Sequence, residues 1–284
     1  MAAAIVASVA MENRETRANK TDRRRSPIDP TPASEALRRR LRHRLACQQA
    51  LHDSVREPRN NSLCLPELRR WQMRRLAASF APLLEDARTR GAAEFFLSDL
   101  YGDRDFSGRD RDLARVLPLM LRLLPEPLIA TVADAIALAA LSHALDLRMA
   151  EALVALLPAN TPIDTDSYAT AYRTVGLPRL RRAQIALIGR LGHGLDAAVR
   201  KPALGHLLKL SRLPARAAGL GELQSFLERG FAAFAALDRP AAFVAGVVAR
   251  ELEVSRRLFA GTPDPFGSTG LAGRPKVQSS SRSR

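Results

Sequence analysis

The sequence predicts an all-α protein: a multi-helix bundle in two packed helical halves with disordered N- and C-terminal tails. Three observations predict it. Apolar residues recur with a period near 3.6 from Ser34 to Ala260, the signature of helices with one buried face. Leu and Ala dominate while β-branched residues are scarce, a balance that favours helix over strand. Proline and glycine punctuate the chain at intervals that suit helix ends rather than hairpins.

Residues 1–33 read as a disordered arm, because their polar, proline-ended composition buries too little surface to offset the entropy of ordering. The first helix is expected from Ser34, with Leu37, Leu41 and Leu45 at steps of four. Arg38, Arg39, Arg40, Arg42 and Arg44 occupy its other faces. Such a basic amphipathic helix suits phosphate or an anionic surface, and equally a solvated face whose aliphatic stems cover the core edge. After a loop at Pro58, Asn60 and Asn61, a second helix runs from Pro66 through Trp71 to Leu84, with Pro82 expected to kink it. Trp71, flanked by Arg70, Arg74 and Arg75, is a candidate cation–π platform or a core anchor.

The stretch from Ala93 to Pro125 forms a corner on which the remaining helices are laid. Phe95, Phe96 and Leu100 share a helical face, Gly102 suits a helix end, and Ser107 with Asp110 resembles a capping box for the next helix. Asp103, Asp105, Ser107 and Gly108 imitate the start of a calcium loop, but Ala114 stands where the bidentate acid belongs, so no metal is expected. Asp99 lies three or four residues from Phe95 and Phe96, which makes it a candidate inward-facing acid with an arginine partner.

Residues 128–157 form the most apolar segment and are expected to be the central helix. His143 shares its face with Ile136, Ala140 and Leu147, and Asp146 is placed to fix its tautomer. It is a candidate ligand-binding or proton-handling group, or a satisfied core histidine. Pro158 to Pro162 marks the boundary between halves 34–160 and 161–261. Helices at 178–198, 202–211, 215–236 and 240–260 follow Tyr168 and Tyr172, a pair that could bracket a ligand or pack together. Gly189, Gly192 and Gly194 spell G-x-x-G-x-G, yet no strand precedes them, so close helix contact explains them better than a dinucleotide. Glu251 falls on an apolar stripe and needs either the rim or an arginine. Residues 262–284 read as a disordered basic tail.

The net charge of +15 is concentrated in residues 34–75, which carry eleven arginines against four acids. Only Lys20, Lys201, Lys209 and Lys276 are lysines, an arginine bias that a GC-rich genome would also produce. Two cysteines are too few for a disulfide framework or zinc cluster. The apolar start precedes its basic residues, the reverse of a signal peptide, and no charge-free run approaches the ~18 residues of a membrane span. A soluble cytoplasmic protein is expected.

The segment FFLSDLYGDRDFSGRD (residues 95–110), with GLGELQSFLERGFAAF and VARELEVSRRLF, resembles a family of uncharacterised bacterial proteins that share an FFLxDLYG-type segment. The likeness spans roughly residues 65 to 261 and implies a helical fold, with no residue role to transfer. Three classes of function remain open. One is a non-enzymatic helical binding or scaffolding protein whose partner is unknown, a protein being one candidate. Another is a nucleic-acid or anionic-surface binder using residues 34–75. The third is an enzyme or small-ligand-binding bundle built on Asp99, His143 and Glu251, which would require those side chains to meet in one pocket. No cofactor motif is present.

Overall fold

The computed structural model describes residues 32–100 and 125–267, together with Asp112, Arg115 to Pro118 and Leu121. Among these residues every regular element is helical. Residues 1–31 of the expected disordered arm, most of the terminal tail, and the calcium-like stretch from Asp103 to Gly108 lie outside them, while residues 32 and 33 of that arm already belong to the first helix.

Helix α1 spans Pro32–His52 and buries Leu41, Leu45 and Gln48, one residue per turn. A 3₁₀ turn at Pro58–Asn61 leads to α2, Cys64–Ser79, whose buried Leu65, Leu68, Trp71, Arg75, Leu76 and Ser79 follow the three–four spacing of one helical face. The second helix was expected to continue kinked to Leu84; instead it ends, and Phe80 N–H closes on Leu76 O at 2.9 Å. Pro82 then sits in the first turn of a short helix α3, Ala81–Glu85, where its missing N–H costs nothing. Helix α4, Arg90–Phe95, passes into a π-helical turn, Phe96–Leu100.

Helix α5, Glu126–Leu156, is the hub and packs against α1, α2, α6 and α7. It is long and apolar enough to cross a membrane, with a mean hydropathy of 1.8 in its best window. In this fold its Leu147, Met149 and Leu153 are fully enclosed by protein, each such burial being worth about 1.5–3 kcal/mol. Helix α6, Thr165–Val175, is started by Asp164, whose carboxylate accepts the Ser167 N–H at 2.8 Å while Ser167 Oγ accepts the Asp164 N–H at 3.0 Å. These hydrogen bonds hold the Asp164 carboxyl below its ordinary pKa.

Three of the remaining helices begin with proline in the first turn: α7, Pro178–Val199; α8, Pro202–Leu210; and, at the end, α11, Pro240–Ala260. Between α8 and α11 the sequence suggested one helix over 215–236. The chain breaks there into α9, Arg212–Ala217, and α10, Gly221–Ala235. Gly219, at φ +70, makes the break, since that conformation is cheap only for glycine.

Gly192 and Gly194 lie inside α7, and a Cβ at Gly192 would approach Val244 Cγ2 of α11 to 2.5 Å, while one at Gly194 would collide with Thr131 of α5. The glycine motif therefore brings three helices together and forms no nucleotide loop. Four core clusters form among the described residues, the two largest around Trp71, Met149, Tyr168 and Leu258 and around Leu76, Leu138, Ile188 and Val247. Both of these draw on residues before and after the Pro158–Pro162 boundary, so the two halves share most of their core.

The tail boundary at residue 262 needs correcting. The ordered chain continues past Gly261 so that Phe266 is 2 % exposed against Trp71, with its carbonyl accepting from Arg250 Nη2 at 2.6 Å. The sequence gives a single aromatic in a Pro/Gly setting no period to signal this.

Candidate functional site

Seven helices, α1, α2, α5, α6, α7, α10 and α11, wall a cavity of about 280 Å³. Two of these walls, α5 and α7, run antiparallel: Gln184 Nε2 donates to Ser142 Oγ at 2.8 Å, and Arg190 Nε donates to Asp134 at 2.9 Å. The two ends of the cavity differ. Near the first cross-link stand Ser142, His143 and Asp146 of α5 and Arg181 and Gln184 of α7; toward the second stand Val132, Ala135, Ile136, Ile188 and Leu191.

At the polar end Glu251 of α11 meets Arg75 of α2, with oxygen–nitrogen distances of 2.7 and 3.4 Å. The side chains are 14 % and 8 % exposed, so this is a buried ion pair. Trp71, one turn earlier on α2, is 3 % exposed and stacks on Tyr168 with ring centroids 4.3 Å apart. It supports the cavity wall from behind and carries no cation on its face among the described contacts.

His143 is held at both ring nitrogens. Arg69 Nη2 lies 2.7 Å from Nδ1. Arginine can only donate, so Nδ1 accepts and the proton resides on Nε2, facing Asn60 Oδ1 at 2.8 Å and Leu51 O at 3.2 Å. Burial, reinforced by the charges of His52 and Arg69, lowers its pKa from 6.5 to about 4. His52 stacks on it at 4.0 Å. The tautomer is thus set by Arg69, not by Asp146 as the spacing suggested. Asp146 instead receives Gln72 Nε2 at 3.1 Å and faces Arg69 Nε at 3.9 Å. Burial pushes its carboxyl above the ordinary range, against the pull of Arg69, Gln72 and Arg181.

Arg181 is 5 % exposed and has no carboxylate in ion-pair contact among the described residues. Its guanidinium carbon lies 4.4 Å from the centre of the Tyr172 ring, and Nη1 reaches Gln184 Oε1 at 3.5 Å. Nε and Nη2 are buried without a hydrogen-bond acceptor among the described residues. Tyr172 itself bonds Ser255 Oγ at 2.9 Å, and burial raises its hydroxyl pKa.

Of the residues singled out in the sequence, His143 and Glu251 both line this cavity. The side chain of Asp99 lies outside the described residues, its backbone being part of the π-helical turn. The arginines of α1 lie elsewhere. Arg39, Arg40 and Arg42 are exposed and Arg38 is half-buried. Arg44 turns inward, donating to Ala133 O at 2.8 Å and Asp134 at 3.1 Å, which commits it to α5. Sequence reasoning missed Arg181, hidden among Arg179 and Arg182. The signal was its register with Ile185 and Ile188, all three on one stripe of α7. No cluster of metal-binding side chains forms among the described residues.

No curated protein and no solved structure matches the chain. A family model does match, over residues 51–265, and that span covers α2 through α11, the Phe266 approach and most of the cavity wall. The chain accordingly belongs to the family described as a domain of unknown function, DUF8198.

Proposed function

We propose that this chain is a non-enzymatic, cytoplasmic binding protein that holds a small amphipathic molecule among its helices. The observation that carries the reading is the 280 Å³ cavity with a polar end and an apolar end. An empty apolar void of that size would cost about 7 kcal/mol, comparable with the whole stability of an ordinary domain. A fold that keeps such a space, and sets charges in its wall, is better suited to enclosing a molecule than to packing alone. The volume is near the lower end of the ~300–1,000 Å³ usual for ligand pockets.

Binding rather than turnover is favoured by how the polar atoms are used. His143 commits both nitrogens to protein partners and Glu251 is committed to Arg75. Neither is poised as a base over the cavity. Both cysteines are free thiols, in keeping with a reducing compartment.

A thermal-shift screen of small acids, amines, alcohols and amides tests the reading, with Ala139→Phe as the control that fills the cavity. At least one class should raise the Tm of the wild type and lose that effect in the variant. Shifts that are equal in both proteins, or no shift from any class, would refute it.

A further inference from the structure

We infer that the ligand is a monocarboxylic acid with an apolar tail, its carboxylate gripped by the Nε and Nη2 edge of Arg181. The inference rests on the cavity being a ligand site and names what that site selects.

The chain itself shows how this edge is used. Arg88, Arg200, Arg212 and Arg256 each present Nε and Nη2 to one carboxylate, of Asp86, Asp196, Glu228 and Glu253, at distances of 2.7–3.2 Å. Planar guanidinium and planar carboxylate match as two parallel hydrogen bonds. In Arg181 the same two nitrogens are buried, on a side chain that lines the cavity, and no acceptor among the described residues meets them. Its third nitrogen is already directed at Gln184, and the Tyr172 ring lies over the guanidinium at 4.4 Å. Buried N–H groups without an acceptor are costly even with the Asp146 charge nearby, so an incoming carboxylate would remove a penalty as well as add two bonds.

The other charges of the wall do not serve this purpose. Glu251 is neutralised by Arg75 at 2.7 Å. Asp146 is turned toward Gln72 and Arg69; its charge is felt by Arg181, but the two make no hydrogen bond. A ligand cation at this end would meet Arg69, Arg75 and Arg181 together.

Size and shape follow from the helices. From Arg181 to Leu191 the wall of α7 rises about 15 Å, turning from polar to aliphatic as it goes. Benzene fits a void of ~150 Å³, so 280 Å³ accepts roughly eleven heavy atoms. A carboxylate at Arg181 with a medium-length alkyl or aryl tail toward Ile188 and Leu191 satisfies both limits.

The test is isothermal titration of the full chain with octanoate, octanamide and octylamine, for wild type, Arg181→Gln and Ala139→Phe. Octanoate should bind the wild type at least about 10-fold more tightly than octanamide, and octylamine should be weakest. Arg181→Gln should weaken octanoate by roughly 10–100-fold, the worth of charge-assisted hydrogen bonds, while octanamide changes by less than about 2-fold. If Arg181→Gln does not fold, the wild-type ligand series decides alone, with Arg181→Lys keeping the charge but losing the two-pronged edge. Equal binding of octanoate and octanamide, both abolished by Ala139→Phe, would leave the cavity as a ligand site and overturn the acid anchor. Octanoate binding that survives Ala139→Phe places the acid outside the cavity and overturns the inference. So does a complete lack of binding; joined to a blank thermal screen, it removes the ligand-site reading as well.

Discussion

The outer face of α1 and the cavity wall are both rich in arginine, and they could hardly differ more in what the arginine means. Arg39, Arg40 and Arg42 stand in solvent, where a guanidinium needs no partner and most substitutions change little. Arg75 and Arg181 are 6 % and 5 % exposed, and there each N–H must be answered. The chain meets Nη1 and Nη2 of Arg75 with Glu251, whereas Nε and Nη2 of Arg181 find no acceptor among the described residues. A high arginine count on the surface is compatible with codon composition, whereas a buried guanidinium persists only against a physical penalty. The informative cations of this molecule are the few that the net charge hardly registers.

Four experiments press on that contrast. The largest effect is expected from Arg75→Ala, which strands the Glu251 carboxylate in the interior and should cost about 3–5 kcal/mol in a denaturant melt. An unchanged midpoint would mean that the pair is not effectively buried. Next comes pH. His143 is neutral in the fold down to about pH 4, whereas in the unfolded chain it takes up its proton near 6.5. The unfolded state therefore binds more protons between those values, and stability should fall as pH drops through that window, by about 3 kcal/mol in all. Asp146, whose carboxyl is raised, acts in the opposite sense and offsets part of the loss. His143→Asn should flatten the slope over this range; a slope as steep as that of the wild type would assign the effect elsewhere.

The third experiment reverses the sign. Arg181→Met exchanges a buried cation that no acid hydrogen-bonds among the described residues for an apolar chain of similar reach, and should leave the ligand-free protein as stable or more stable by about 1 kcal/mol. A loss like that of Arg75→Ala would make Arg181 a structural member and break the comparison. The smallest effect belongs to α1: Arg39, Arg40 and Arg42 changed together to Ala should move the melt by no more than roughly 0.5 kcal/mol.

Much of the architecture was legible in the sequence, because it is written in short-range terms. The starts of α7, α8 and α11 follow from single prolines, and the apolarity of α5 marks it as the hub. The errors have one origin. The stop of α2 before Pro82, the break at Gly219 and the burial of Phe266 depend on what the local chain packs against, and helical periodicity is silent about that. The site was legible only in part. His143 and Glu251 stood out as polar residues on apolar stripes. Arg181 obeyed the same rule but was masked by Arg179 and Arg182, and no spacing rule joins residue 75 to 251 or 69 to 143.

The position of Phe266 has a consequence in time rather than in energy. Its contact with Trp71 closes a loop of nearly the whole family domain, and contacts of such separation are among the most expensive to form early in folding. The helices around α5 can assemble from nearer neighbours, so the aromatic joins late. Interactions absent from the transition state govern how fast a fold opens and leave its formation rate nearly untouched. Stopped-flow measurements on Phe266→Ala should show faster unfolding and an almost unaltered folding limb. A residue beyond the last helix would then set how long the native state lasts; an equal slowing of folding would show instead that the chain ends meet early.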